Sequence, residues 1–119
     1  MSEDSQQNAE VRFLEFLTQV RAGGPLWGLR NEVGLATWRY EEGEDAVVPF
    51  FSGEGAARLC GEENFSGYRP FRIPARDFLD SYLPALGKQS LGVSINPTPL
   101  MTGIDMPADA LAQKIGEEG

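Results

Sequence analysis

Arg69, Arg72 and Arg76 are the residues of this chain whose type and spacing most directly suggest chemistry. They fall in a stretch, residues 64–76, that contains no acid. Arginine presents a planar fork of donors that matches a carboxylate or phosphate. Tyr68 and Phe71 are interleaved with them, so the segment reads as a candidate site for a small anion or for a stretch of single-stranded nucleic acid. The ordinary account of the same residues is a solvated strand and helix start, with the arginines paired to acids such as Asp77 and Asp80. Asn96, followed by Pro97, is a second candidate: a side-chain amide at a sheet end can hydrogen-bond a ligand, or it can simply end the strand. Trp27, Trp38 and Tyr40 form a third group. Core packing accounts for such large rings, but the two faces of one hairpin cannot bury all of them, so an exposed member would mark a contact surface.

Other chemistry is removed by composition. The 119 residues contain no histidine, which excludes Ser-His-Asp and Cys-His catalysis, most catalytic zinc sites and a histidine pH switch. The one cysteine, Cys60, can form neither an intramolecular disulfide nor a cysteine cluster, and reads as a buried inert thiol. Ser52 lacks both the G-x-S-x-G context and a base, so it reads as a helix cap. Asp77 and Asp80 share a helix face, but two carboxylates without a third partner do not make a metal site. No catalytic residue, metal or cofactor is therefore expected.

Net charge is −8, which argues against binding duplex nucleic acid through its phosphates. A basic protein partner would complement Glu3, Asp4, Glu41, Glu42, Glu44 and Asp45, chiefly through on-rate. The start of the chain is polar and acidic, unlike a signal peptide, and no apolar run approaches the ~20 residues that span a bilayer. With a single thiol, these features point to a cytoplasmic protein. Nothing in the sequence sets an oligomeric state.

The elements that must position these residues follow from periodicity. Residues 1–7 read as a disordered acidic tail. Asn8 is a candidate N-cap for a helix over 8–22, with Phe13, Phe16, Leu17 and Val20 as its apolar stripe. The runs 26–30 and 35–40, separated by Asn31-Glu32-Val33-Gly34, read as a hairpin with Trp27 and Trp38 as cross-strand neighbours. The acidic run 41–45 leads to a strand over 46–51, which Pro49 marks as an edge or a bulge. A glycine-weakened helix follows Ser52, then a strand at 71–73. Pro74 opens a third helix faced by Phe78, Leu79, Tyr82, Leu83 and Leu86, which Pro84 should end or kink. Leu91, Val93 and Ile95 alternate as a half-buried strand, 104–106 forms a last short strand, and a helix covers 108–115. These elements predict one α+β domain over 8–116, with 117–119 frayed. It would have a mostly antiparallel four- to six-stranded sheet with helices one and three on a single face.

This ordered string resembles a small uncharacterised bacterial family, domain of unknown function 2750. The residues that carry the resemblance are Phe13-Leu14-Glu15-Phe16-Leu17, Leu26-Trp27-Gly28-Leu29, Gly34-Leu35-Ala36, and Val48-Pro49-Phe50-Phe51-Ser52 leading into Ala56-Ala57. Further on are Ile73-Pro74-Ala75-Arg76-Asp77-Phe78-Leu79, Tyr82-Leu83-Pro84-Ala85-Leu86 and Gly92-Val93-Ser94-Ile95-Asn96. The family carries tryptophan near Phe51 and Phe65, a departure that bears on an aromatic ligand platform and not on the fold. It supplies no catalytic residues. The second half is also similar to the serine-sensitivity-enhancer (SseB-like) proteins, in a Pro-Phe strand end before an Ala-rich helix and in Asn96-Pro97. That likeness implies a protein-interaction or regulatory domain. The leading expectation is thus a non-enzymatic interaction module, and the alternative is a small anion-binding domain or enzyme built on Arg69, Arg72 and Arg76.

Overall fold

A computed structural model describes residues 2–39, 46–100 and 102–117. Its first helix, α1 (Ser2–Arg21), begins well before the predicted cap at Asn8. No glycine or proline lies between Ser2 and Arg21, so nothing in the backbone stops the helix from continuing N-terminally. Its stripe is the predicted one: Phe13, Phe16, Leu17 and Val20 are buried.

Among the described residues the strands are β1 (Leu26–Arg30), β2 (Trp38–Arg39), β3 (Ala46–Phe50), β4 (Arg69–Ile73), β5 (Gly92–Ile95) and β6 (Ile104–Pro107). They form a four-stranded sheet, β2-β3-β5-β6, and a separate ribbon, β1-β4. The class is α+β. All pairings are antiparallel except β3 with β5, which is parallel. The predicted hairpin between residues 26–30 and 35–40 reduces to a single bridge, Arg30 with Leu35. Trp27 lies opposite Arg72 and Trp38 opposite Val47, so the two tryptophans are not cross-strand neighbours. The turn residues bring the chain back only as far as Ala36 N–H, which donates to Leu29 O at 2.9 Å. Beyond that point the same edge of β1 is taken by Phe51, which exchanges two 2.8 Å backbone bonds with Trp27. That exchange joins the ribbon to the end of β3.

Pro49 is accommodated by this arrangement. Phe51 turns its backbone groups toward Trp27, while Phe50 O accepts from Asn96 N on the β5 side. Because direction alternates along a strand, Pro49 faces the same side as Phe51, in the interval between the β2 and β1 pairings. Its missing N–H leaves no ladder bond unmade. The same logic applies to Pro70. Trp27 and Leu29 direct backbone groups away from β4, so their partners Arg72 and Pro70 direct theirs to the outer edge of β4, where Pro70 blunts strand addition.

Two cores follow. Phe16, Val48, Phe50, Phe78, Leu83, Leu86, Val93 and Ile95 belong to the larger, which also takes Leu111 and Ile115 of the C-terminal helix α5 (Ala108–Glu117). Phe78 lies edge-on to Phe16 at 5.7 Å and to Phe50 at 4.9 Å. Leu29, Ala36, Phe51, Ala57, Cys60 and Phe65 form the smaller core. Alternation along β3 puts Phe51 on the face opposite Phe50, and α2 (Glu54–Asn64) covers that face through Ala57 and Cys60. The first and third helical regions thus share one face, as expected, while α2 covers the other.

The third helical region does not stop at Pro84. It runs as α3 (Ala75–Asp77), a π-helical turn (Phe78–Tyr82) and α4 (Leu83–Lys88). The wider turn is closed by Leu83 N donating to Phe78 O. In a regular α-helix the Pro84 ring would meet the Asp80 carbonyl. A π turn just before a proline opens that space, so the rod continues instead of ending. Pro74 is its N-cap rather than its first helical residue.

Candidate functional site

The β1–β4 register sets Arg30 directly opposite Arg69. Residues 26, 28 and 30 share a face with 69, 71 and 73. On that face Gly28 makes room for an aromatic ring, since a Cβ there would lie 2.9 Å from Phe71 Cε1. The Phe71 ring thus lies across β1, and the Arg30 guanidinium sits over it, 4.3 Å from the centroid. This cation–π contact fixes Arg30 at the mouth of a cleft of about 660 Å³, lined by Arg30, Asn31, Glu32, Gly67, Arg69, Pro70 and Phe71.

Asn31 adds a third donor. Its Oδ1 accepts from Val33 N at 2.8 Å and Gly34 N at 3.1 Å, which holds the turn after β1. With the oxygen committed there, the group left for a ligand is the Nδ2 donor. Neither Arg30 nor Arg69 makes an ion pair among the described residues. Two like charges facing each other across a strand pair are destabilising, and among the described residues Glu32 is the only carboxylate lining the cleft.

The other predicted site residues are dispersed. Arg72 is exposed on the opposite face of β4, beside Trp27, and Arg76 is exposed on α3. They do not share the Arg69 cleft; side chains alternate along β4, so residues 69 and 72 cannot face the same way. Trp27 and Trp38 are half-buried against the smaller core. Trp38, Phe65 and Tyr68 make an edge-to-face row with 5.9 Å between successive rings. Tyr40 and the acidic run 41–45 lie outside the described residues, as do the side chains of Glu3 and Asp4.

Asn96 is structural in every polar group. It has φ +47°, and its N–H donates to Phe50 O. Oδ1 accepts from Ser52 N at 2.9 Å, and Nδ2 donates to Arg12 O at 2.9 Å and to Ser52 Oγ at 3.0 Å. Its carbonyl accepts from Arg12 Nε at 2.8 Å. Ser52 serves this cluster instead of capping α2, whose N-cap is Gly53. Cys60 is buried, and burial raises its thiol pKa against the opposing effect of the Asn64 side chain. A thiol held in its protonated form is a poor nucleophile.

Residues 13–115 match the family described as protein of unknown function (DUF2750). The chain belongs to that family. No curated protein and no solved structure matches it. The family span takes in both cores and every residue of the Arg30–Arg69 cleft. Among the described residues no helix is long and apolar enough to cross a membrane. No group of three His, Cys, Asp or Glu side chains is gathered among them as metal ligands.

Sequence reasoning found Arg69 but missed Arg30 and Asn31, which lie some forty residues away. Asn31 was visible only as a turn residue. Nothing local to β1 signals that Arg30 faces Arg69, because that pairing is a long-range one.

Proposed function

We propose that this protein is a non-enzymatic binding domain that takes a small anionic ligand between Arg30, Asn31 and Arg69. The observation that carries this reading is the facing pair Arg30–Arg69, two guanidinium groups with no carboxylate partner among the described residues, at one cleft of a protein whose net charge is −8. Such a pair is unfavourable in the free protein, and a bound carboxylate or phosphate would relieve it through charge-assisted bonds. The absence of histidine from the sequence and the buried, protonated state of Cys60 support binding over catalysis. The single thiol suits a reducing cytoplasm.

The test is titration of inorganic phosphate followed by backbone amide shifts at low ionic strength. Saturable shifts are expected at residues 30–31 and 67–71. Arg69→Ala should weaken binding by about tenfold or more, the size of one charge-assisted hydrogen bond. Arg76→Ala, on a different surface, should leave it unchanged. Equal loss in both variants, or no saturable shift, would overturn the reading.

A further inference from the structure

We infer that the ligand is a nucleotide whose base carries an exocyclic amine. This rests on the anion reading above and extends it to a second, adjoining hollow. That hollow, of about 380 Å³, lies between α2 and the start of β4 and includes Arg58, Glu62, Phe65 and Tyr68 in its lining. Gly67, Arg69 and Pro70 line both hollows, so the two adjoin. Gly67, shared by both, has φ +90°, and a Cβ there would meet nothing within 4 Å. Each hollow is of a size suited to part of a small molecule.

The second hollow has a different chemistry from the first. Arg58 is engaged by Glu54 at 2.8 Å, and Glu62 adds a carboxylate, so a second anionic group is not favoured there. What it offers instead is an aromatic ring and an acceptor. Tyr68 is half-buried, and its ring is held edge-on by Phe65, which Trp38 holds in turn. A ring fixed in this way is a platform for a planar group. The carboxylate oxygens of Glu62 accept hydrogen bonds and so select a ligand that donates them. An anion at Arg30–Arg69 joined to a flat ring bearing an amine satisfies both hollows. A nucleoside monophosphate with adenine as its base has that chemistry, and uracil lacks the amine.

The experiment compares inorganic phosphate, adenosine monophosphate and uridine monophosphate as ligands of the whole chain by calorimetry. The adenosine nucleotide is expected to bind roughly tenfold or more tighter than phosphate, as one stacked base contributes, with the uridine nucleotide weaker than the adenosine one. Glu62→Gln and Tyr68→Leu should lower the adenosine nucleotide's affinity without moving that of phosphate. Glu62 is exposed, so its variant will fold even if the Tyr68 one does not. If phosphate binds and the adenosine nucleotide binds no tighter, the nucleotide inference is overturned while the anion reading stands. Failure of phosphate itself would overturn the reading beneath it.

Discussion

Arg12 and Asn96 exchange two hydrogen bonds: Arg12 Nε donates to the Asn96 carbonyl at 2.8 Å, and Asn96 Nδ2 donates to the Arg12 carbonyl at 2.9 Å. This reciprocal contact ties the middle of α1 to the end of β5. Through Ser52 it also ties both to the turn that leads into α2. Asn96→Ala would leave Ser52 N–H without its partner, would remove the tie from Asn96 to the Arg12 carbonyl, which keeps only its bond within α1, and would put a Cβ residue without a polar side chain at positive φ. The expected loss is about 2–4 kcal/mol on those grounds. Urea denaturation checks it, and a loss within an ordinary surface value of about 0.5 kcal/mol would show the cluster to be incidental.

Phe16 and Leu83 lie on different helical segments but in one core, with exposures of 0% and 1%. Phe16→Ala and Leu83→Ala should each destabilise by about 2–5 kcal/mol, the range for large core deletions. Both belong to the face covered by α1, α4 and α5. Combining them should give a non-additive sum, because Phe78 contacts Phe16 and joins the same cluster as Leu83. A denaturation series with strictly additive losses would show two separate packing units instead.

Gly28 tests the link between packing and the anion site. Alanine there would place its Cβ against Phe71 at 2.9 Å and against Ile73 Cδ1 at 3.3 Å. Displacing the Phe71 ring removes the support under Arg30. Gly28→Ala should therefore cost about 1–3 kcal/mol of stability, as overpacking does. It should also weaken phosphate binding, although Gly28 does not line the cleft. Unchanged phosphate affinity in a destabilised variant would separate Arg30 placement from the ring.

Cys60 makes a pH-dependent prediction. Burial raises its pKa above the ordinary thiol value of 9.0, so the folded state keeps a proton that the unfolded chain releases. Stability from this group is fully present below pH 9.0 and falls as pH rises through and beyond it, because the native state then binds more protons than the unfolded one. Cys60→Ala should flatten that decline in denaturation curves taken across the same range. At pH 8 a thiol reagent should react with the native protein at least about tenfold more slowly than with the urea-unfolded chain, since it needs exposed thiolate. Equal rates would show that the thiol is accessible.

By itself the sequence determined the helices, the approximate strands and the content of the larger core, because each is written in local periodicity. The Phe13-Phe16-Leu17-Val20 stripe and the alternation through Val93 and Ile95 can be satisfied only by burial on one side. Turn and proline signals were legible too, but their consequences were not. Asn31–Gly34 does turn the chain, yet how far residues 35–40 can pair along that edge of β1 depends on what else reaches it, and Phe51 takes it while β4 occupies the opposite edge. Pro84 announces a disruption, and only the packing of Phe78 and Leu83 makes a π turn preferable to a helix end. For the candidate site the sequence supplied Arg69, with its partner left open between a ligand and acids such as Asp77 and Asp80. The tertiary structure supplied Arg30 and set Arg72 and Arg76 aside: strand pairing joins Arg30 to the distant Arg69, strand alternation turns Arg72 to the other face, and Arg76 lies beyond the strand on α3. Asn96 shows the same division: its type permits a positive φ and many hydrogen bonds, and the fold alone commits every one of them to Arg12, Ser52 and Phe50.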